Sequence, residues 1–236
     1  TWSLEKLKSR IAELYTASLK NATVLKNTSL NGWDAMLEKG GTTRNLRPTL
    51  YDFLVHRALR YFTNTENDVT NPAYKFILND ETLFAPADSF INIKFATKDT
   101  QSLYYHALQL YQDILRFHLK DENPEALIDA DLQRLDFVNK YAVLSNKNKL
   151  YEQALQSIQT NYSNNAAATQ AIFLQAQLYF QSGNSFDPFT KSNVQFDLKK
   201  AKELCELAIQ LFPESEGALK AKNLIQVIQA PQLKLE

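Results

Sequence analysis

AKELCELAIQLFP, residues 201–213, sets Ala201, Cys205 and Ala208 at intervals of four and three and closes on Pro213. Side chains three and four apart stand above one another on an α-helix, so these small residues share one face. A face of small residues lets a neighbouring helix approach closely. The same spacing lies upstream in Ile172, Ala176 and Tyr179. Downstream, Ala218, Leu219, Ala221, Leu224, Ile225, Val227 and Ile228 supply a last helix that covers the stack. Working outward, the helical period recurs in Leu4, Leu7, Ile11, Leu14, Tyr15 and Leu19, with Ser3 placed to cap. It recurs again behind Pro48 in Leu50, Phe53, Leu54, Ala58, Leu59 and Tyr61, where the proline reads as the first helical residue. Leu103, Tyr104, Ala107, Leu108, Tyr111, Ile114, Leu115 and Phe117 form another stripe. Asn123 and Pro124 mark a further helix start, and from Leu127 onward helices follow one another with short breaks. This pattern predicts an all-α protein.

Two stretches break the period. Asn27 to Thr43 is rich in Asn, Gly and Thr and reads as a loop with one helical turn that tucks Trp33 inward. The second, residues 63–99, alternates Asn, Asp and Pro with clusters such as Phe76, Ile77, Leu78 and Phe90, Ile91. It reads as a long irregular connector that packs aromatics onto the helices, since a loop of this length in a compact chain is uncommon. Any strands are expected to be short and confined to 74–95. The organisation that follows is an N-terminal helical part over 1–120, connector included, and helical repeats over 121–236, read together as one continuous domain.

Two helix pairs in the second half superimpose by spacing. Val138, Ala142, Ala154 and Ile158 form the first; Ile172, Ala176, Tyr179, Ala201, Cys205, Ala208 and Pro213 form the second. This resembles a degenerate tetratricopeptide repeat, which implies an α-α superhelix. The step from Ala142 to Ala154 is twelve residues and that from Ala176 to Ala201 is 25, so about thirteen residues around 183–195 read as an insertion.

A second resemblance lies upstream. Leu46-Arg47-Pro48-Thr49-Leu50-Tyr51-Asp52-Phe53-Leu54-Val55-His56-Arg57-Ala58-Leu59, Asn123-Pro124-Glu125-Ala126-Leu127 and Asp131-Leu132-Gln133-Arg134-Leu135-Asp136-Phe137-Val138 look like the helical N-terminal region of large alpha-2-macroglobulin-like proteins of Bacteroidetes-type bacteria. The resemblance implies an exported, periplasmic or outer-membrane-associated endopeptidase inhibitor, in which this part is a scaffolding or protein-interaction domain. Its partners would be other domains of the same parent chain or another protein. The family's Cys-Gly-Glu-Gln thioester has no counterpart, because Cys205 is followed by Glu206, Leu207 and Ala208. A surface peptide- or glycan-binding helical-repeat protein is the alternative.

Composition excludes other classes. The 236 residues carry 26 basic and 26 acidic side chains without a basic run, so the electrostatic footprint of a nucleic-acid binder is missing. Five glycines are few for phosphate-binding loops or hairpins. No segment has the roughly 18 consecutive apolar residues that span a membrane. The opening Thr1-Trp2-Ser3-Leu4-Glu5 carries neither an initiator Met nor a signal peptide, so the chain reads as a piece of a longer precursor. Among side chains that carry chemistry, His56, His106 and His118 form no i, i+4 metal pair, and Asp129 and Asp131 point to different helix faces. Cys205 sits in an apolar stripe. No nucleophile elbow, phosphate loop or dinucleotide fingerprint occurs, so the expectation is no enzyme activity, no cofactor and no metal. Two candidate interaction sites remain. Arg44, Arg47, Tyr51, His56 and Arg57, with Asp52 among them, make the densest polar cluster, either a helix-start network or a docking patch. Phe186, Phe189 and Phe196 lie in the insertion among Gly, Asn, Ser and Pro188, where solvent-facing rings would mark a partner surface.

Overall fold

The computed structural model describes residues 2–33, 35–37, 43–64 and 73–230. Residues 34 and 38–42 of the expected loop and 65–72 of the expected connector lie outside that set. The described chain is all-α. Its helices are α1 Leu4–Ser18, α2 Ala22–Lys26, α3 Leu50–Phe62, α4 Ala87–Phe90, α5 Leu103–His118, α6 Glu125–Tyr141, α7 Lys147–Asn161, α8 Thr169–Asn184, α9 Asp197–Leu211 and α10 Glu216–Gln229. No strand forms among the described residues; one antiparallel bridge, Ser29 to Thr49, is the only β pairing there. The chain divides into two compact units, residues 1–145 and 146–236, so α6 belongs with the N-terminal helices.

In the first unit, α3 packs on α5 and α5 on α6. The start of α3 differs from expectation. Thr49, not Pro48, caps the helix: Thr49 Oγ1 accepts from the Asp52 amide at 3.3 Å and Asp52 Oδ2 accepts from the Thr49 amide at 2.8 Å. This reciprocal capping box satisfies two amides that the first helical turn leaves unpaired. Pro48 stands outside the helix, where its carbonyl accepts from the Leu30 amide. The buried stripe of α3 is also rotated from the apolar one. Tyr51, Asp52, Val55, His56, Ala58, Leu59 and Phe62 face inward, while Leu50, Phe53 and Leu54 are half-buried. Asp52 and His56 turn inward because each has a polar partner there, which offsets the cost of removing them from water.

The connector is core. Leu78, Leu83, Phe84, Ala87, Phe90 and Ile91 are all buried. A segment without helical ladders can enter a core only if its backbone carbonyls find donors. Side chains of α5 and α6 provide them. Gln112 Nε2 donates to the Phe90 and Ile93 carbonyls at 2.9 and 2.8 Å. Arg116 Nη2 donates to the Ile91 carbonyl at 2.5 Å, and fully buried Arg134 donates to the carbonyls of Leu83 and Ala85. Arg134 also donates from Nε to Asp131 at 2.7 Å and stacks its guanidinium 4.3 Å from the Phe90 ring centroid.

In the second unit, the most extensive helix pairing is α8 with α9, and α10 packs on both. Ala176, Cys205, Ala208 and Ala221 are completely buried in one cluster with Ile172, Phe173 and Leu224, and Ala201 is completely buried as well. Two glycines bring backbones closer still. A Cβ on Gly183 would stand 2.7 Å from the Leu198 amide nitrogen, and one on Gly217 would stand 2.6 Å from the Gln170 nitrogen. The first expected helix pair is realised differently. Ala142 leaves the helix as the C-cap of α6 with φ −65° and ψ 140°, and the next amide, Val143, donates to the Leu78 carbonyl. Val138 and Ala142 thus sit in the first unit, and in α7 the buried residues are Tyr151, Leu155 and Ile158, with Ala154 half-buried.

Close crossing makes two substitutions costly. Ala201→Leu is expected to lower stability by about 1–3 kcal/mol through overpacking. Gly217→Ala, whose new methyl meets the backbone of Thr169 and Gln170 as well as the buried Thr169 hydroxyl, is expected to lower it as well. Urea midpoints of both variants measure this, and unchanged midpoints would show that α9 and α10 do not approach α8 as described.

Candidate functional site

The polar cluster at the start of α3 separates into buried and exposed parts. Tyr51 is buried with its ring edge-on to Phe117 at 5.6 Å and Lys26 over its face at 4.6 Å; burial first, then nearby Asp113, raises its pKa. Tyr51 is therefore core. Arg44 is half-buried in the 3-10 turn Thr43–Leu46, and exposed Arg57 lies against the Phe53 ring at 5.5 Å. Arg47 is exposed and reaches Asp129 Oδ2 at 3.5 Å.

His56 is buried and tied to α6. Gln133 Nε2 donates to Asp129 Oδ2 at 2.7 Å, which turns the Gln133 oxygen toward His56 Nδ1 at 3.1 Å. An acceptor there makes Nδ1 the protonated nitrogen and leaves Nε2 with a lone pair. Nε2 is buried without a hydrogen-bond partner and stands 3.9 Å from Asp129 Oδ2. Burial, helped by the Arg47 charge, pushes the His56 pKa down to about 4, so the ring is neutral at physiological pH. Beside His56 a cleft of about 340 Å³ opens between α3 and α6. Leu59, Tyr111, Phe137 and Tyr141 make its apolar wall, and Arg47, Arg60 and Lys140 line it with the carboxylate of Asp136, Arg47 also meeting Asp129 beside it. Desolvation raises the Asp136 pKa, opposed by Lys140.

A second polar knot lies deeper in the same unit. His118 joins Asp52 through Nε2 at 2.7 Å and Asp121 through Nδ1 at 2.6 Å, with His118 and Asp52 sealed from water. Burial alone would lower the His118 pKa, but the two carboxylates outweigh it and raise it. The same contact, with the Thr49 bonds, overcomes burial at Asp52 and holds that carboxyl below its ordinary value. Both ring nitrogens are occupied and the ring itself is sealed from solvent, with only Asp121 at the surface, so the knot positions α3 and α5 and leaves no free ring nitrogen.

In the second unit the segment between α8 and α9 is folded by Asp187. Its Oδ1 accepts from the amides of Phe189 and Thr190 at 2.9 and 2.8 Å, which holds its carboxyl below the usual range. This turn raises Phe189 into solvent with 95% exposure; Phe196 is 70% exposed and Phe186 36%. Beneath them Lys200 lies 3.8 Å from the Tyr179 ring centroid and donates to its hydroxyl, while that hydroxyl donates to Glu152, joining α7, α8 and α9. Cys205 is buried and its thiol is pushed up to about 11 by burial and then Glu206, so it stays protonated. Among the described residues no three His, Cys, Asp or Glu side chains come together to hold a metal, and no helix is long and apolar enough to cross a membrane.

The sequence pointed to the phenylalanine segment and to Arg47 and His56. It did not point to Gln133, Arg60, Lys140 or the His118 knot, whose members come from distant parts of the chain. A histidine preceded by an aromatic at Phe117 and followed by Asp121 was the one local signal for the last. No family model matches the chain, and no curated protein or solved structure is significantly similar to it.

The histidines give opposite pH dependences. His118, with a raised folded pKa, adds stability that is complete below its unfolded value of 6.5 and is lost as pH rises through the raised one. Asp52, with a lowered pKa, adds stability present above its unfolded 3.8 and lost as pH falls further. His56 binds its proton only near pH 4 when folded, so stability falls by up to about 3 kcal/mol as pH drops from 6.5. Urea midpoints between pH 4 and 9 check this. His118→Gln is expected to abolish the alkaline loss and His56→Phe to reduce the acid loss; parallel curves for all three proteins would contradict the assignments.

Proposed function

We propose that this chain is a non-catalytic protein-interaction or scaffolding domain, and that its second unit docks a partner through Phe186, Phe189 and Phe196. The observation that carries the reading is the near-complete exposure of Phe189 on a turn that Asp187 holds in place. Large apolar rings displayed on an ordered turn lose nothing in rigidity on binding and gain burial of roughly 2–3 kcal/mol each. The helix spacing and the close α8–α9 crossing support a tetratricopeptide-like arrangement of α7 to α10, a fold type that serves as a docking scaffold. The resemblance of residues 46–59 and 123–138 to the helical region of macroglobulin-type proteins supports placing the domain in an exported protease trap at the cell envelope, with other domains of that protein as partners.

A surface peptide-binding protein is the second reading, favoured by the aromatic wall and cationic rim of the first unit's cleft. Pairing Phe189→Ser with Phe196→Ser separates the two. As exposed positions they should change stability by less than about 0.5 kcal/mol. Binding to the remainder of the parent protein should weaken at least tenfold, as for anchor residues of about 2 kcal/mol. Full binding by the folded double variant would sink the docking role of the phenylalanines.

A further inference from the structure

The cleft between α3 and α6 holds three features that packing does not explain. The first is its charge. Arg47, Arg60 and Lys140 share the rim with Asp136; Arg47 is paired with Asp129 at 3.5 Å and Lys140 faces Asp136 and Tyr141, whereas exposed Arg60 forms no ion pair with any described residue. The positive charge left over at Arg60 attracts an anion to this rim. The second is the wall. The ring centroids of Tyr111 and Phe137 lie 5.9 Å apart and those of Phe137 and Tyr141 5.5 Å, so one side of an otherwise polar opening is aromatic. The third is His56 Nε2, an acceptor left without a partner in a residue only 8% exposed. A buried acceptor without a donor is costly, and native structures keep few of them.

An anion, an apolar body and an adjacent N–H donor are the three groups that the last residue of a polypeptide presents together. We propose that this cleft binds the C-terminal residue of a peptide or protein chain: its carboxylate between Arg60 and Lys140, its side chain on the Tyr111–Phe137–Tyr141 wall, and its amide N–H on His56 Nε2. A volume of about 340 Å³ suits one residue and lies at the lower end of the range for ligand clefts. Because His56 is locked as the Nδ1–H form by Gln133, it accepts and does not donate, so the site selects a donor next to the carboxylate and not a second acceptor. This inference goes beyond the docking role of the second unit and uses none of its residues.

The test is calorimetric titration of the whole chain with N-acetyl-Ala-Ala-Phe as the acid, with the same peptide amidated at its C-terminus, and with phenylacetate. The acid is expected to bind saturably, and the amidated peptide and phenylacetate at least about tenfold more weakly, one lacking the charge and the other the N–H donor. Arg60→Gln combined with Lys140→Gln changes two exposed side chains and should bring the acid down to the level of the amidated peptide. Should that variant fail to fold, the acid-to-amide comparison on the unaltered protein decides alone. Equal affinity for acid and amide, equal affinity for phenylacetate and the acid peptide, or no saturable binding of the acid would each overturn the proposal.

Discussion

Arg134 carries its charge in a place that water does not reach, and the first unit is arranged around satisfying it. Every polar atom of a buried guanidinium must be matched, because an unpaired buried charge costs several kcal/mol. Asp131, one turn earlier on α6, supplies the counter-charge, and the carbonyls of Leu83 and Ala85 take the outward-pointing N–H groups. The constraint works in both directions. The connector provides the acceptors that allow an arginine inside, and the arginine provides the donors that let an irregular backbone lie against a helix. Gln112 and Arg116 repeat the arrangement from α5 with three more carbonyls. Apolar side chains such as Leu78, Leu83, Phe84 and Phe90 can then fill the space between helices, which they do with almost no exposed surface.

The second unit solves the same problem without buried charge. Its helices keep their own backbone bonds, so close approach needs only small side chains, and Ala176, Ala201, Ala208, Ala221, Gly183 and Gly217 stand where the helices meet. Its buried polar contacts are uncharged, Thr169 with Ser215 and Gln175 with Gln159, and the charged ones lie at the margin, as in the Glu152, Tyr179 and Lys200 chain. A unit held by close helix crossings has no internal need for the turn at Asp187. That is the physical reason to read Phe189 as a contact for something else.

The helices were legible because a 3.6-residue period survives in one sequence. The crossing at Ala176, Ala201 and Ala208 was legible because small residues at that period leave room for a second helix and bury little by themselves. The rotation of α3 was not. Its apolar stripe is clear in the sequence, but Asp52 and His56 lie on its polar side and face inward only because His118 and Gln133, 66 and 77 residues away, meet them. Arg134 and Asp131 were hidden for a related reason. An acid and a base three apart on a helix usually pair at the surface, and nothing local distinguishes this pair from such a one. The exposed phenylalanines stood out in the sequence because rings among Gly, Asn, Ser and Pro have no helical face to join. The cleft did not, since its cations come from positions 47, 60 and 140 and its wall from 111, 137 and 141.

The dependence of the connector on Arg134 is open to a direct measurement: hydrogen exchange across residues 79–93 in Arg134→Met, alongside the variant's unfolding free energy. Methionine fills much of the space but leaves Asp131 unpaired and the Leu83 and Ala85 carbonyls without donors. The amides of this segment are expected to lose their protection, and stability to fall by about 3–5 kcal/mol, the loss typical of breaking a buried ion pair. Unaltered protection across 79–93, with a loss below about 1 kcal/mol, would contradict that dependence.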